Sequence, residues 1–258
     1  MKISINEQEK RLVYKNFYRY FSWLLGAKKY QDCTYTQPNV PFVVFNSVIE
    51  SNLNEQNSAK VITELKERYR QTPFCWWLTD FSSPHSLKEN LEKAGFEQGS
   101  PFVGMIYSLA HHITLPKEIA HIQVKQVTEQ SMLDAWIKPM QEAFGIDDAS
   151  TRLCVKVFKE YLYDKRLRHY YVAEQGQIVG TGTLYIEDNV SGFYNMAVVP
   201  EYRNQKIATA IKWHRLKISQ ELGAKSAILQ SSTMGRELDM RIGFKPVSEF
   251  IPYFWSAS

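Results

Sequence analysis

The chain has 258 residues, of which 44% are hydrophobic and 22% are charged, a balance that supports a buried core and excludes global disorder. Its 31 basic and 27 acidic side chains leave a formal net charge of +4, too small an excess to indicate nucleic acid as a partner. The sequence has no apolar run near the length that spans a bilayer and no apolar signal segment at its start. We therefore expect a cytoplasmic protein without a membrane partner.

The three cysteines, Cys33, Cys75 and Cys154, lie far apart and form no CxxC pair or Cys/His cluster. This spacing argues against both a disulfide framework and a structural zinc site. We expect reduced thiols and no bound metal.

Hydrophobic periodicity and turn residues predict six elements in the N-terminal half. They are a helix over 4–26, a strand over 41–46, a helix over 57–71, a strand over 75–79, a helix over 84–95 and a strand over 102–109. The segment 110–120 has no strong period and contains Pro116, so we interpret it as a linker.

The C-terminal half begins with an alternating segment that predicts a half-buried strand over 122–127. The basic stretch 165–169 is interpreted as a solvated helix end. The other predicted elements are helices over 130–144 and 149–164, strands over 170–173, 178–186 and 193–199, a helix over 204–222, a strand over 227–230, a helix over 234–242 and a strand over 250–255.

The two halves share a local pattern. The segments LKENLEKAGF at 87–96 and RELDMRIGF at 236–244 are both amphipathic, end in Gly-Phe and precede an aromatic strand. Together with the similar order of elements around them, they predict two related α/β domains, at about 1–115 and 121–258.

The segment VPEYRNQKIATA at 199–210 leads from a strand, ended by Pro200, into a helix. The first turn of a helix has unpaired N–H groups and a dipole that favours an anion such as a phosphate. Arg203 and Lys206 add positive charge, and Ala208 keeps side-chain bulk low. From these residues alone, an ordinary helix start with solvated basic side chains is an equal alternative.

This segment resembles the acetyl-CoA signature of the GNAT acetyltransferases, Gln/Arg-x-x-Gly-x-Gly/Ala after a strand that ends in Val-x-Pro. Arg203 matches the first position and Ala208 the last, whereas Lys206 stands where the family most often has glycine. The segment LQSSTMGRELDMRIGF at 229–244 resembles the second conserved block of the family. The N-terminal half resembles the first domain of tandem GNAT proteins but has no counterpart of residues 203–208.

The resemblance implies an α/β (α+β) fold with two GNAT-like domains, each a mixed, mostly antiparallel twisted sheet flanked by helices. Residues 1–115 would form a degenerate domain that shapes the acceptor site, and 121–258 the catalytic domain. The implied function is acetyl-CoA-dependent transfer of an acetyl group to an amine of a small molecule or peptide, directly in a ternary complex. The residues implied for acetyl-CoA binding are Met196, Ala197, Val198, Arg203, Asn204, Gln205, Lys206, Ile207, Ala208, Thr209, Ser231 and Ser232.

The catalytic groups are less well defined. Asp239 stands where the family has the tyrosine that protonates the departing thiolate, and an aspartate with an ordinary pKa near 4 is ionised at pH 7. The alternatives are an Asp239 pKa raised by burial, Tyr194 or Tyr253 as the acid, no dedicated acid, an Asp239 that binds a cationic acceptor, or a solvated Asp239. For the base, the candidates are Glu187, Asp188 and Tyr194.

The departures at Lys206 and Asp239 also leave open a second interpretation, a non-catalytic acyl-CoA sensor or interaction module. Acetyl-CoA and an amine are the expected partners, and a homodimer is compatible with both interpretations.

Overall fold

The computed structural model describes residues 7–256. In this range the chain forms two compact units, and neither is one continuous stretch. The first unit contains the described residues up to Gly104, together with Gln230–Arg236 and the segment from Pro246 onward. The second contains Met105–Leu229 and Glu237–Lys245.

The first unit combines helices with a mixed sheet. Its sheet has the strand order β1-β2-β3-β4-β12, in which β3 and β4 are parallel and the other neighbours antiparallel. The short β5 also pairs with β12. The elements are α1 (Glu7–Leu24), β1 (Lys28–Tyr30), β2 (Cys33–Thr36), β3 (Ser47–Ser51), α2 (Ser58–Arg68), β4 (Phe74–Thr79), α3 (Leu87–Lys93), β5 (Glu97–Gln98) and β12 (Lys245–Trp255).

The second unit has a similar construction, with the strand order β7-β8-β9-β10-β11-β6. Strands β7 to β10 are antiparallel, and β10 and β11 are parallel. The elements are β6 (Phe102–Ser108), β7 (Lys125–Gln126), α4 (Leu133–Trp136), α5 (Lys138–Phe144), α6 (Asp148–Tyr161), β8 (Leu167–Glu174), β9 (Gln177–Glu187), β10 (Val190–Val198), α7 (Ile207–Glu221), β11 (Ser226–Ser231) and α8 (Arg236–Ile242).

The bounds of the units differ from 1–115 and 121–258, because two strands lie in the other unit's sheet: β6, which comes after α3 and β5, and β12, which comes after α8. β6 follows α3 but neighbours β11, and β12 follows α8 but pairs with β4, with Tyr253 opposite Trp76. Sequence order alone gives no sign of this exchange, since both strands have the same aromatic character.

The shared Gly-Phe ending has the same conformation in both places. Gly95 has a φ of +87° and Gly243 a φ of +113°, a region that disfavours residues with a Cβ. Each glycine turns the chain out of its helix, so that the following Phe96 or Phe244 is buried.

Several elements differ from the sequence-based expectation. The predicted strand 41–46 is instead a 3₁₀ turn at Val43–Phe45. The strand β3 begins at Ser47, just after the predicted range ends, where Ser47 pairs in parallel with Cys75. β1 and β2 were not predicted. The predicted helix start at residue 4 lies outside the described residues.

In the second unit, the predicted helix 130–144 is divided into a 3₁₀ turn, α4 and α5, and Pro139 lies in the first turn of α5. The basic stretch 165–169 is not a helix end, because it leads into β8, where Leu167 and His169 are buried against neighbouring elements. Of the predicted strand 122–127, Lys125 and Gln126 form a ladder with β8, and the N–H of Val127 donates to the carbonyl of His169.

The fold class is confirmed as mixed α/β, with mostly antiparallel sheets flanked by helices. Cys33, Cys75 and Cys154 are buried free thiols. Within residues 7–256, no helix combines the length and apolar character needed to cross a bilayer. Nor does this part of the chain contain three or more His, Cys, Asp or Glu side chains grouped to hold a metal ion.

Candidate active site

A β-bulge in the second unit is the centre of the candidate site. Tyr194 of β10 is opposite Thr183 of β9, whereas Ala197 is already opposite Thr181, so Asn195 and Met196 together face Gly182. A bulge of this kind removes backbone N–H and C=O groups from the ladder and changes the direction in which they point. The bulge includes Met196 and ends at Ala197, two of the residues that the resemblance implies for acetyl-CoA binding.

Two glycines of β9 let α7 approach the bulge closely. A Cβ on Gly180 would lie 2.5 Å from the Cγ2 of Ile207, and one on Gly182 would lie 2.8 Å from the Cγ2 of Ile211. Because residues two apart share one face of a strand, Gly180 and Gly182 lie on the same face of β9, and α7 packs against that face.

Arg215 of α7 holds the bulge from this face. Its side chain is fully buried, and Nη1 donates to the carbonyls of Thr183 (2.9 Å) and Tyr194 (3.3 Å). The guanidinium also lies 4.3 Å from the ring centroid of Phe193. Burial lowers the pKa of Arg215 to about 9, so the side chain keeps its charge at neutral pH.

A buried polar chain holds the bulge from the opposite face. Asn195 adopts a left-handed backbone (φ +52°), and its Nδ2 donates to Thr183 Oγ1 at 3.0 Å. Thr183 Oγ1 in turn lies 2.9 Å from Nδ1 of His169, and Thr181 Oγ1 donates to the carbonyl of Asn195. The bulge is therefore fixed by side-chain hydrogen bonds as well as by its ladder.

His169 anchors this chain in a dry environment. The imidazole is fully buried, with ring centroids 4.5 Å from Trp136 and 4.6 Å from Phe158. Burial lowers its pKa from the ordinary value near 6.5 to about 3. His169 is therefore neutral at pH 7 and has no role as a proton shuttle there.

This pKa predicts an acid-dependent loss of stability. Between pH 6.5 and 3 the unfolded chain binds a proton at His169 that the folded chain does not, so the free energy of unfolding falls as the pH falls. We expect wild type to lose roughly 3 kcal/mol more than His169→Gln between pH 7 and pH 4, measured by urea unfolding. Equal pH dependence in the two proteins would contradict a buried neutral His169.

The start of α7 carries the segment predicted to bind an anion. Residues 203–206 are exposed, and the helix begins at Ile207 after Lys206, which has a φ of +60°. The carbonyl of Lys206 accepts from the N–H of Ala210, so the N–H groups before Ala210 precede the helical ladder. The left-handed conformation at Lys206 explains in physical terms why glycine would suit this position.

Strands β10 and β11 separate near the bulge. Their parallel ladder covers Val190 to Gly192 only, whereas β10 stays paired with β9 to Val198. The edge of β10 from Phe193 onward is thus outside this ladder, and it includes Met196, Ala197 and Val198, which the resemblance implies for acetyl-CoA binding.

Asp239 lies in a buried ion pair. Its carboxylate accepts from Lys212 Nζ of α7, and the two side chains are 2% and 7% exposed. Burial lowers the pKa of Lys212, and the charge of Asp239 opposes that effect. A solvated Asp239, one of the alternatives from the sequence, is therefore excluded, while its predicted catalytic role stays a prediction.

The other predicted catalytic residues are not grouped together. Tyr194 is buried at the bulge, opposite Thr183. Glu187 is four residues from Thr183 along β9, about 13 Å at 3.3 Å per residue, and pairs with Tyr185 and Arg166. Tyr253 lies in the core of the first unit, where its hydroxyl contacts Glu92 and Gln98.

The predicted acetyl-CoA residues fall in three segments. Met196, Ala197 and Val198 end β10, and residues 203–209 cover the turn into α7 and its first residues. Ser231 and Ser232 lie in the stretch assigned to the first unit, where Ser231 Oγ donates to the carbonyl of Ser232.

Sequence reasoning missed the residues that support the bulge. The sequence pattern assigned no role to Arg215 or Lys212, and Thr183 and Asn195 have no recognisable motif around them. The alternation GTGT at 180–183 was an available signal, because it places two glycines on one face and two threonines on the other.

Residues 130–236 match the sequence model of the acetyltransferase (GNAT) family. The fold is similar to that of a GCN5-related N-acetyltransferase from Kribbella flavida, with a TM-score of 0.71, 12% identity and coverage of 94% of this chain and 95% of that chain. It is also similar to a GCN5-related N-acetyltransferase from Sphaerobacter thermophilus, with a TM-score of 0.65, 14% identity and coverage of 88% and 77%. A tandem GNAT protein from the clavulanic acid biosynthesis pathway gives a TM-score of 0.53 at 12% identity, with coverage of 78% and 68%. No curated protein matches the chain significantly in sequence.

The recognition of a GNAT region is thus confirmed for residues 130–236, and the whole chain has a fold found among GNAT proteins, one of them a tandem. The match of this region to the family supports a general acetyltransferase role. The bulge, the start of α7 and the separation of β10 from β11 all lie within it.

Proposed function

We propose that the chain is an acetyl-CoA-dependent N-acetyltransferase acting on an amine of a small molecule or peptide. The observation that carries the proposal is the segment of 17 residues from 193 to 209, which leads from β10 into α7. Three features follow one another there: the bulge held by side-chain hydrogen bonds, the edge of β10 outside its parallel ladder with β11, and the positively charged start of α7. This segment lies inside the region that matches the GNAT family.

The start of α7 fits a pyrophosphate. N–H groups that precede the helical ladder and a helix dipole favour an anion, and Arg203 and Lys206 bring two cations beside them. Ala208 and Thr209 are small and only half-buried, so the backbone is accessible there. Residues 203–209 would hold the phosphates, and 196–198 the pantetheine and acetyl groups.

Acetyl-CoA supplies an acetyl group activated as a thioester. Transfer forms an amide C–N bond and breaks a C–S bond, while the amine loses a proton and the thiolate gains one. The chain contributes orientation and backbone N–H donors of the bulge toward the carbonyl oxygen, which becomes more negative during the transfer. Tyr194 is the predicted acid or base that lies at the bulge.

We propose that the first unit binds no CoA. Its helix α2 begins in the equivalent place after β3, but Asn54 Oδ1 already accepts from the N–H groups of Gln56 and Asn57. The N–H groups of the two residues just before this helix are thus occupied by a side chain of the same loop, and the N–H of Ser58 donates to the carbonyl of Asn54. Shaping of the acceptor site remains the proposed role of this unit.

The second candidate function is a non-catalytic acyl-CoA sensor. The observation that favours it is that Asp239 stands where the family has the tyrosine acid, and that its carboxylate is buried in an ion pair with Lys212. This candidate shares the CoA site with the first and differs only in turnover.

Calorimetry with CoA and a thiol-release assay over a panel of amines separate these functions. We expect CoA binding and thiol release that depends on an amine. Binding without release on any amine would favour the sensor, and no binding would contradict both functions.

Lys206 offers a direct test of the charge at the anion site. We expect Lys206→Gly and Lys206→Asn to weaken CoA binding by about 1 kcal/mol, the scale of one exposed charge contact, and to reduce its salt dependence. Both replacements tolerate a left-handed backbone, so the lost charge is the main change. The exposed Lys217, eleven residues further along the chain in α7, provides the control Lys217→Asn, which should bind CoA as wild type does. Unchanged or tighter binding by both Lys206 variants would show that this charge does not contact phosphate.

A further inference from the structure

The bulge is held by side chains on both faces of the sheet. On one face, Arg215 donates to the carbonyls of Thr183 and Tyr194, one on each strand. On the other, the half-buried Asn195 and the buried Thr183 and His169 form a hydrogen-bonded chain. A bulge that only relieved a mismatch between strands would not require two sets of buried polar contacts.

Thr183 Oγ1 joins the other two members of the polar chain. It accepts from Asn195 Nδ2 and is also hydrogen-bonded to Nδ1 of the neutral His169. Thr181 Oγ1 donates to the carbonyl of Asn195 at 3.2 Å. Both the side chain and the carbonyl of Asn195 are therefore restrained.

The left-handed conformation of Asn195 sets the direction of the next peptide groups, those of Met196 and Ala197. Asparagine tolerates this conformation better than most residues, and its side chain here also determines the rotation of the peptide. A change at Thr183 or Asn195 would thus alter where the N–H groups of the bulge point without touching the start of α7.

We propose that Asn195 and Thr183, supported by His169, are positioning residues that aim the N–H groups of the bulge at the acetyl carbonyl. This inference rests on the proposed function, since it concerns the acetyl group of the same site. It separates two tasks within one segment: the polar chain orients the acetyl group, and residues 203–209 provide CoA affinity.

The test uses [1-¹³C]acetyl-CoA bound to the full chain and needs no amine. A hydrogen bond polarises the carbonyl and moves its ¹³C resonance downfield, so we expect a downfield shift on binding to wild type. Thr183→Val and Asn195→Gly should lose this shift while binding CoA with an unchanged Kd. Thr183→Ser, which restores the hydroxyl, should recover it.

A matched control comes from the other end of β10. Asn189 also has a left-handed backbone (φ +60°) but is exposed in the β9–β10 turn, so Asn189→Gly makes the same change away from the bulge and should keep the shift. Once an amine that the protein acetylates is identified, Thr183→Val and Asn195→Gly should lower kcat about ten- to hundredfold, with little change in the KM for acetyl-CoA.

The outcomes distinguish this inference from the proposed function. If wild type binds no CoA, the proposed function fails and the inference with it. If CoA binds but both Thr183→Val and Asn195→Gly keep the wild-type shift, the inference alone is overturned. Asn195→Gly keeps a compatible backbone, so it remains informative even if Thr183→Val does not fold.

Discussion

Asp239→Ala is expected to lower the free energy of unfolding by about 3–5 kcal/mol, because it leaves the Lys212 ammonium buried without its carboxylate. Arg215 lies on the same helix and is also buried, so the site would then contain two cations facing no compensating charge from Asp239. Urea unfolding at pH 7 measures the loss. Glu237 provides the control on the same helix: its ion pair with Arg241 is exposed, and Glu237→Ala should cost no more than about 1 kcal/mol.

A double variant separates the structural role of Asp239 from a catalytic one. Lys212→Met combined with Asp239→Leu removes both charges and keeps apolar volume, so we expect most of the stability to return. If Asp239 acts only through this ion pair, the double variant should also release thiol from acetyl-CoA in the presence of an amine. If wild type releases thiol, a stable double variant that binds CoA without any release would instead show that Asp239 or Lys212 takes part in the transfer. A stability loss in Asp239→Ala no larger than in Glu237→Ala would contradict the buried pair.

The sequence predicted most of the second unit because its elements are long and its turns have clear chemistry. The helix of 204–222, the strands around 178–199 and the Gly-Phe ending at Gly243 all follow from periodicity and from residues suited to left-handed turns. The predictions were poorer in the first unit, where β1 and β2 have three and four residues and depend on pairing with each other and, for β2, with β3. Short edge strands have little local signal, since tertiary pairing decides them.

The candidate site divides in the same way. The start of α7 was predictable because an anion site at a helix N-terminus is local in sequence. The side-chain hydrogen bonds that hold the bulge were not predictable, because the residues that make them come from three strands and a helix. These residues meet only through the register of β8, β9 and β10. They are His169, Thr183, Asn195 and Arg215. Likewise, the spacing of Lys212 and Asp239, 27 residues apart, contains no hint that they form an ion pair.

Ala208→Glu is expected to weaken CoA binding by several kcal/mol, on the order of a hundredfold or more in Kd. Ala208 lies in the first turn of α7, where a small side chain leaves the backbone N–H groups accessible. A glutamate would place a bulky carboxylate where the phosphates are proposed to bind, so steric exclusion and like-charge repulsion act together. The fold should be preserved, because a negative charge near a helix N-terminus is favourable.

Ala208→Gln separates these two effects, since it has the size of glutamate without its charge. We expect an intermediate loss of affinity that does not depend on salt, whereas the additional loss in Ala208→Glu should decrease as the ionic strength rises. Calorimetry with CoA at two salt concentrations, with circular dichroism as a check on folding, measures both. A folded Ala208→Glu that binds CoA as tightly as wild type would exclude residues 203–209 as the phosphate site. The glutamate side chain would obstruct and repel any phosphate bound to the backbone N–H groups of that turn, so CoA bound there must lose affinity.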